Sequence, residues 1–268
     1  MPDAAGGGSA RCGFADKTAA GFGEDELRAI EVAAVEAWPA FETRNISGWL
    51  WRYSGGGSQR ANSVSTLEFR GPDAEAAIAE AEALYFSRNV PSRFQVSSTL
   101  AEPKDLDRRL ERRGYRIHEP VTTLAMHLSD HKDIPTGVII ADGPSDEWME
   151  VYLSNVRPDR HAAAPAILAA VPTPKAFFSF EVGGRILSTA LAVLRGEIVI
   201  AECIGTRAEA RRRGAGSTVM AALAAWGWQH GARIAALQAV TENFPAQRLY
   251  AALGFREVGG YHYRLREP

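Results

Sequence analysis

The sequence has little of what would indicate an exported, membrane-bound or nucleic-acid-binding protein. Only two of its 268 residues are cysteines, Cys12 and Cys203, which is too few for a disulfide framework or a cysteine metal site. No apolar run approaches the length of a membrane span, and the N-terminus has neither a basic segment nor an apolar stretch for export. The formal net charge of -2 offers no basic face for nucleic acid. We therefore expect a cytoplasmic protein that needs no metal and binds neither nucleic acid nor membrane.

The chain is long enough for one or two domains with a sizeable core. Residues 1–22 are rich in glycine and alanine and are predicted to form a disordered tail. Residues 131–137 contain a proline and a glycine and are predicted to be a linker. The expected domains are therefore 23–130 and 138–268.

Hydrophobic periodicity and breaker residues predict the order of helices and strands. Both parts of the chain are expected to mix the two. In the first part the predicted elements are a helix at 24–38, strands at 46–53 and 63–69, a helix at 71–86, a strand at 94–98, a helix at 105–113 and an extended segment at 117–128. In the second part they are a strand at 138–141, helices at 145–156 and 162–171, and strands at 176–182, 185–194 and 197–204.

The most informative stretch of the sequence is a strand, a basic turn and a helix. Residues 198–204 are β-branched and apolar, which is typical of a buried strand, and the alanine-rich residues 217–226 predict a helix. A helix N-terminus has free N–H groups and a positive dipole, and glycine lets the backbone approach a phosphate. The sequence therefore predicts a site for a phosphorylated ligand. The turn consists of Arg211, Arg212, Arg213, Gly214, Ala215 and Gly216.

Two common phosphate-binding patterns do not fit this turn. The Walker pattern requires a lysine before its Ser or Thr, but Ser217 follows Gly216 directly. The dinucleotide pattern has three glycines directly after the strand, and this turn has two. The turn resembles instead the coenzyme A loop of the GCN5-related N-acetyltransferase family, Arg/Gln-x-x-Gly-x-Gly/Ala. Arg211, Gly214 and Gly216 fill its three fixed positions.

A second signature of the same family follows the next predicted strand, at 233–240. Residues 243–255 resemble the pattern Asn-x-x-Ala-x-x-Leu-Tyr-x-x-x-Gly-Phe in order and spacing. The resemblance covers 138–268. It implies an α/β (α+β) fold with a mixed, mostly antiparallel twisted sheet flanked by helices, and it implies acetyl-CoA as the cofactor. The matching residues are Asn243, Ala246, Leu249, Tyr250, Gly254 and Phe255.

The first part of the chain repeats this order of elements at a constant offset. Adding 140 to the residue number places 94–98 on 234–238 and 71–76 on 211–216. We interpret this as an internal duplication that gives two halves, each with an acetyltransferase-like sheet. Coincidence stays open as an alternative, because strand–helix units are common and few residues are identical between the halves.

The two halves differ at the positions that would bind the cofactor. Asp73 and Glu75 lie where a diphosphate would sit, and both charges favour the helix N-terminus themselves. Leu110 aligns with Tyr250 but has no proton to give. We expect the first half to bind no coenzyme A and to serve as a scaffold or as part of the acceptor wall. Residues 60–63 are expected to line a cleft between the halves.

The resemblance implies direct transfer of an acetyl group from a thioester to an amine. The backbone of Ile204 and Thr206 would pair with pantetheine and the thioester, and the amide of Ile204 would stabilise the oxyanion. The N–H groups of residues 212–217 would bind the diphosphate. The expected cofactor-binding residues are Ile204, Thr206, Arg211, Arg212, Arg213, Gly214, Ala215, Gly216, Ser217 and Asn243.

Two side chains are candidates for the proton transfers. Tyr250 occupies the motif position whose hydroxyl faces the sulfur in relatives, so it is the expected general acid; a packed helix tyrosine is the alternative. Glu202 interrupts an apolar strand and is the candidate base, acting through water, with pairing to an arginine equally open. Asn243 either contacts the pantetheine arm or caps a helix. Cys203 is interpreted as a small buried thiol.

These observations predict an acetyl-CoA-dependent N-acetyltransferase. Its acceptor would be a primary amine of a small molecule, an amino-acid derivative or a peptide N-terminus. The alternative is a non-catalytic protein that binds acetyl-CoA and regulates a partner. The presence of Tyr250 and Glu202 together favours the enzyme, because a sensor would need neither.

Overall fold

The computed structural model of the chain describes residues 21–129 and 133–268. The first half contains α1 (Glu24–Ala37), β1 (Glu42–Ile46), β2 (Trp49–Tyr53), β3 (Val64–Ser65), α2 (Ala74–Phe86), β4 (Ser92–Ser97), α3 (Leu106–Arg112) and β5 (Arg116–His127). The second half contains β6 (Val138–Ala141), α4 (Asp146–Leu153), α5 (Ala164–Ala170), β7 (Lys175–Val182), β8 (Arg185–Arg195), β9 (Ile198–Thr206), α6 (Ala215–Gln229), β10 (Ile234–Val240), α7 (Phe244–Ala252) and β11 (Arg256–Arg266). Short 3₁₀ turns lie at Arg60–Asn62, Pro158–Arg160 and Ala208–Ala210.

The strands form one mixed sheet. Its order is β1-β2-β3-β4-β11-β5-β10-β9-β8-β7-β6. The pairs β3–β4 and β9–β10 are parallel, and the other neighbouring pairs are antiparallel. The predicted α/β class with a mostly antiparallel sheet flanked by helices is confirmed. Within the described ranges, no helix combines the length and apolar character that a membrane crossing requires.

The two halves exchange their last strands within this sheet. β5 ends the first half but pairs with β10, from Ile234 opposite His127 to Val240 opposite Val121. β11 ends the second half but pairs with β4 on one side and with β5 on the other. Each half therefore has its sheet completed by a strand of the other half.

The repeated order of elements extends through both halves. With the offset of 140, α2 falls on α6, β4 on β10, α3 on α7 and β5 on β11. The helix-ending glycines also correspond, since Gly114 has φ +84° and Gly254 has φ +94°. The division into two domains stays a prediction, and its expected linker lies partly outside the described residues.

Helices cover both faces of the sheet and separate its core into clusters. On one face α1, α4 and α5 pack against apolar residues of β7, β8 and β9. On the other face α6 and α7 pack against the alternate residues of the same strands. A further cluster joins α2 and α3 to β2 and β4. Because α1 packs on strands of the second half, the first half closes over the second half's sheet.

Two predicted strands of the first half are corrected by the structure. The strand expected at 46–53 is a hairpin of β1 and β2, turned by Ser47 and Gly48 with φ +52° and +97°. The prediction treated 46–53 as one alternating segment and overlooked Ser47-Gly48, a dipeptide that marks turns. The strand expected at 63–69 is limited to β3. Most of the expected disordered tail lies outside the described residues, but Phe22 at its end is only 8% exposed and stacks on His127.

The N-terminus of α2 is closed by its own capping carboxylate. Asp73 Oδ1 accepts hydrogen bonds from the amides of Glu75 (2.9 Å) and Ala76 (3.2 Å). Glu75 lies beside them and pairs with Arg109 and Arg113, each at 3.1 Å. The helix end of the first half is thus occupied by the protein's own acidic groups, as its sequence predicts.

Removal of this cap should weaken the first half. We expect Asp73→Ala to lower the free energy of unfolding by about 1 kcal/mol, because the two amides lose their acceptor. Urea unfolding measures the change. Asp73→Asn keeps an acceptor oxygen and should remain close to the wild type; equal losses in the two variants would show that the hydrogen bonds do not account for the effect.

Candidate active site

Neighbouring strands β9 and β10 separate in the middle of the sheet. Their parallel pairing extends only from Ile198 opposite Ile234 to Ile200 opposite Ala236. Beyond these residues β9 continues to Thr206 and β10 to Val240. On the side of β10, the backbone of β9 around Ile204 and Thr206 therefore faces a gap, while on its other side it remains paired with β8. This gap lies where the sequence predicts the pantetheine arm.

A β-bulge lies at the start of this gap. Leu191 of β8 pairs with Glu202, but Thr189 pairs with Gly205, so β9 carries one extra residue. Cys203 within the bulge has φ +53°. Such bulges re-aim side chains and are frequent beside active sites. A Cβ on Gly205 would lie 3.2 Å from Thr189 Oγ1 and 3.1 Å from Asn155 Nδ2, so close packing as well as irregular backbone favours glycine here.

The predicted anion site is an open helix N-terminus. Gly214 caps α6 with φ +86°, a conformation that favours glycine, and its carbonyl accepts the first helical hydrogen bond from Thr218. Among the described residues, the amides of 212–217 have no acceptor. These six free amides and the helix dipole make this turn suitable for a phosphate group.

Neighbouring side chains leave this helix end accessible. Arg211 donates to Asn155 Oδ1 at 3.1 Å, and Arg212 and Arg213 are exposed without an ion pair in the described chain. A Cβ on Gly216 would lie 3.2 Å from Leu249 Cδ2, so the start of α6 packs closely on α7. No acidic cap corresponding to Asp73 is present, which distinguishes this half from the first.

A cavity of about 280 Å³ lies beside the gap between β9 and β10. It brings together Glu202, Ile204, Asn243 and Tyr250 from the predicted set, whereas Thr206 and the turn 211–217 lie outside its lining. The first half also contributes to its wall. These residues include Trp38, Gly57, Ser58, Gln59, Arg60, Glu119 and Val121.

Glu202 is held by an arginine of the first half. Arg60 Nη1 donates to Glu202 Oε1 at 2.6 Å, and Nη2 donates to Oε2 at 2.5 Å. The Glu202 side chain is 8% exposed and that of Arg60 is 19% exposed. Burial lowers the pKa of Arg60, but the facing carboxylate outweighs it and raises the pKa above its ordinary value. The arginine pairing left open by the sequence is thus observed, and of residues 60–63 Arg60 lines this cavity.

A second buried carboxyl group extends this network. Glu31 of α1 accepts hydrogen bonds from Thr123 Oγ1 at 2.7 Å and from Gln238 Nε2 at 3.2 Å. Gln238 Oε1 in turn lies 3.5 Å from Arg60 Nη1. Burial raises the pKa of Glu31. The sequence did not indicate this residue, because a glutamate in an amphipathic helix is ordinarily solvent-facing.

The hydroxyl of Tyr250 faces the cavity without a partner. The side chain is 6% exposed, its ring packs edge-on against Phe255, and its oxygen has no hydrogen bond within the described chain. Burial, with a smaller contribution from the charge of Glu202, raises the pKa of Tyr250 above its ordinary value. The phenol is therefore protonated at neutral pH and free to donate.

Three other polar side chains of the second half have structural explanations. Asn243 caps α7 by accepting from the amide of Ala246 at 3.3 Å. Burial raises the pKa of the Cys203 thiol well above its ordinary value, which keeps it protonated and a poor nucleophile. His161 lies 2.9 Å from the carbonyl of Val156 in its own loop. These contacts account for the three side chains without a catalytic role.

Sequence comparisons relate most of the chain to acetyltransferases. Residues 25–266 match the family described as probable histone acetyltransferase Rv0428c C-terminal. The uncharacterized N-acetyltransferase YobR of Bacillus subtilis is 31% identical over 255 residues, which cover 90% of this chain and 99% of that protein. The probable histone acetyltransferase Rv0428c of Mycobacterium tuberculosis is 32% identical over 126 residues, which cover 47% of this chain and 38% of that protein.

Solved structures show the same fold. A GCN5-related N-acetyltransferase from Kribbella flavida superposes with a TM-score of 0.67 at 15% identity, covering 90% of this chain and 94% of the other. A tandem protein of that type from the clavulanic acid biosynthesis pathway has a TM-score of 0.60 at 13% identity, covering 91% and 96%. Both extend over the two halves, so the tandem arrangement has structural counterparts.

Proposed function

The chain belongs to the GCN5-related N-acetyltransferase family, and from this premise we propose that it transfers an acetyl group directly from acetyl-CoA to a primary amine. The acceptor would be a small molecule, an amino-acid derivative or a peptide N-terminus. The observation that carries this proposal is the combination of an uncapped helix N-terminus with a widened strand gap that leads into a cavity. The first half, where Asp73 closes the equivalent helix, would bind no coenzyme A.

The cofactor would lie between α6 and the gap. The amides of 212–217 would bind the diphosphate, with Arg211, Arg212 and Arg213 adding positive charge. The backbone of Ile204 and Thr206 would pair with the pantetheine arm, beside Asn243 at the start of α7. The amide of Ile204 would then donate to the thioester oxygen as it becomes negative. Acetyl-CoA supplies the acyl group and the thiolate leaving group when it is bound.

The transfer requires two proton movements. The amine nitrogen attacks the carbonyl carbon, forming the C–N bond, and the C–S bond then breaks. Tyr250 would give its phenolic proton to the leaving sulfur, since its hydroxyl has no competing partner. Glu202 would accept the ammonium proton through a water. Both of its oxygens bond to Arg60, but each keeps a lone pair on its other side.

A non-catalytic acetyl-CoA-binding regulator is the second candidate. The observation that favours it is the bidentate ion pair between Arg60 and Glu202, which would suit a glutamate with a purely structural role. The position of the unpartnered Tyr250 hydroxyl favours the enzyme. Release of free thiol from acetyl-CoA with a broad panel of amines tests the choice; cofactor binding with no release from any amine would support the regulator.

Acetyl-CoA should stabilise the protein through the α6 turn. At about 100 times its Kd a ligand adds about 2.7 kcal/mol, which corresponds to a rise in melting temperature of about 5 to 10 °C for a chain of this size. We expect Gly214→Glu to abolish the rise, because a carboxylate and a side chain at φ +86° would both disturb the turn. Thermal unfolding with and without acetyl-CoA measures it.

Gly196 provides a matched control for the strain of this substitution. It lies in the β8–β9 turn at φ +54°, and a Cβ there would also meet no neighbour within 4 Å. Gly196→Glu should therefore keep the full rise. Loss of the rise in both variants, or in neither, would contradict the location of the diphosphate at α6.

A further inference from the structure

A second cavity adjoins the one beside Glu202. It has a volume of about 260 Å³ and lies between the first half and the loop before α5. Four residues line both cavities, so the two are neighbours separated only by these side chains and their backbone. The shared residues are Gly57, Ser58, Gln59 and Arg160. A substrate longer than the first cavity could therefore extend into the second.

The second cavity carries an excess of positive charge. Arg93, Arg157 and Arg160 line it together with His118, and its lining contains one carboxylate, Asp159. Asp159 pairs with Arg157 at 3.3 Å. Arg160 Nη2 donates to both carboxylate oxygens of Glu119, at a long distance of 3.4 Å in each case. The cations of the lining are thus only partly neutralised.

Arg93 is the least compensated of these cations. Its Nη1 donates to the carbonyl of Asn62 at 3.1 Å, and its Nε is buried with no acceptor in the described chain. It forms no ion pair with a carboxylate of residues 21–129 or 133–268. Burial lowers the pKa of Arg93, and the more distant carboxylates of Glu119 and Glu267 offset this only in part. A buried charge of this kind is costly unless a ligand or partner compensates it.

The first cavity has the opposite property. Each guanidinium of its lining faces a carboxylate of the same lining: Arg60 is matched by Glu202, and Arg160 lies 3.4 Å from Glu119. An amine entering there would meet no uncompensated cation, and the phenol of Tyr250 is also neutral. The adjoining cavities therefore separate a region suited to an uncharged amine from a region suited to an anion.

From this separation we infer that the acceptor is an amine carrying an anionic group, a carboxylate or a phosphate, which binds at Arg93 while the amino group lies beside Glu202. The inference rests on the proposed acetyl transfer and narrows its substrate class. A lysine-rich peptide would place further cations beside Arg93 and Arg160, so the charge of this site opposes such a substrate.

The test compares amines that differ only in the distant group. Amino acids whose amino group is several carbons away from the carboxylate are matched with their carboxamides, and phosphorylated amino alcohols with their unphosphorylated forms; a lysine-rich peptide is included. The protein is incubated with carbon-13-labelled acetyl-CoA and each compound, and separately with an unfractionated metabolite extract. Labelled products are identified by mass spectrometry, and rates are followed by thiol release. We expect kcat/KM at least about tenfold higher for the anionic member of a pair, as one charged hydrogen bond can provide.

Substitution of Arg93 should remove this preference selectively. In Arg93→Gln the ratio within a pair should fall to about one, through a higher KM for the anionic member, while the neutral member and acetyl-CoA binding are unchanged. Arg93→Lys keeps the charge and should keep part of the ratio. Arg88→Gln is the matched control, because Arg88 pairs with Glu42 at the surface and lines neither cavity.

The outcomes separate the inference from the proposed function. Labelled products that are neutral or cationic, or equal losses for both members of a pair in Arg93→Gln, would overturn the anion site and leave acetyl transfer standing. Absence of any labelled product would refute acetyl transfer and the inference with it. Whether the carboxylate or the phosphate pairs show the preference identifies the source of the anion.

Discussion

Replacing Tyr250 with phenylalanine is expected to lower kcat about 100-fold or more. General acids contribute about 10² to 10⁴ in rate, and Tyr250 has the only side-chain hydroxyl of the second signature, residues 243–255. The fold should be little affected, because the Tyr250 oxygen has no hydrogen bond in the described chain, so removing it leaves no group unpaired. The Kd for acetyl-CoA should likewise stay unchanged. Steady-state thiol release and calorimetry measure the two effects.

Tyr115→Phe is the control for loss of a buried hydroxyl elsewhere. Tyr115 bonds to Ser92 and Glu82 in the first half, away from both cavities, so its loss should reduce stability without changing kcat.

The pH dependence of kcat is a second check of the role of Tyr250. Because burial raises the pKa of Tyr250, the protonated form persists at alkaline pH, and ionisation of this tyrosine should cause no fall in kcat between about pH 8 and 10. If Tyr250→Phe kept the wild-type rate, Tyr250 would be a packing residue and not the general acid.

Removing Arg60 should be the most damaging single change to stability near the site. We expect Arg60→Met to lower the free energy of unfolding by about 3 to 5 kcal/mol, because Glu202 is left buried without its partner. The double variant with Glu202→Met should recover much of the loss, since both charges are then absent. Urea unfolding of the wild type, the two single variants and the double variant gives the coupling energy between Arg60 and Glu202.

An exposed ion pair supplies the comparison for this experiment. Arg185 and Glu209 lie 2.8 Å apart, and each is more than half exposed. Arg185→Met should therefore cost at most about 1 kcal/mol. If Arg60→Met costs no more than this, the ion pair adds little to the strand pairing and apolar packing that join the two halves.

The sequence indicated more residues of the proposed cofactor side of the site than of the proposed acceptor side. The turn 211–216 and the stretch 243–255 are local patterns, so their residues could be recognised without knowledge of the fold. Arg60 and Glu202 are 142 positions apart, and no local pattern shows that they meet. Glu31 and Arg93 were missed for a related reason: their burial is created by elements that are distant in the chain.

The strand exchange could not have been predicted from hydrophobic pattern. β5 and β11 are long antiparallel strands that occupy equivalent places in the repeat, and each has apolar residues suited to the middle of a sheet. Local propensity therefore fits β10 pairing with either one. The choice depends on how the complete chain closes, which is a tertiary property. The helices that correspond between the two halves (α2 and α6, α3 and α7) were predicted more closely, because helix boundaries have local signals in the sequence.

The position of β11 has a consequence for the order in which the protein can assemble. β11 follows every other described strand in the chain, and it lies between β4 and β5 in the sheet. A nascent chain released before Arg256 would leave β4 and β5 with open edges, and open edges invite pairing with other chains. The sheet is therefore closed by a strand that is synthesised after both of its neighbours, and neither half can acquire its full set of strand neighbours until residues 256–266 have been made.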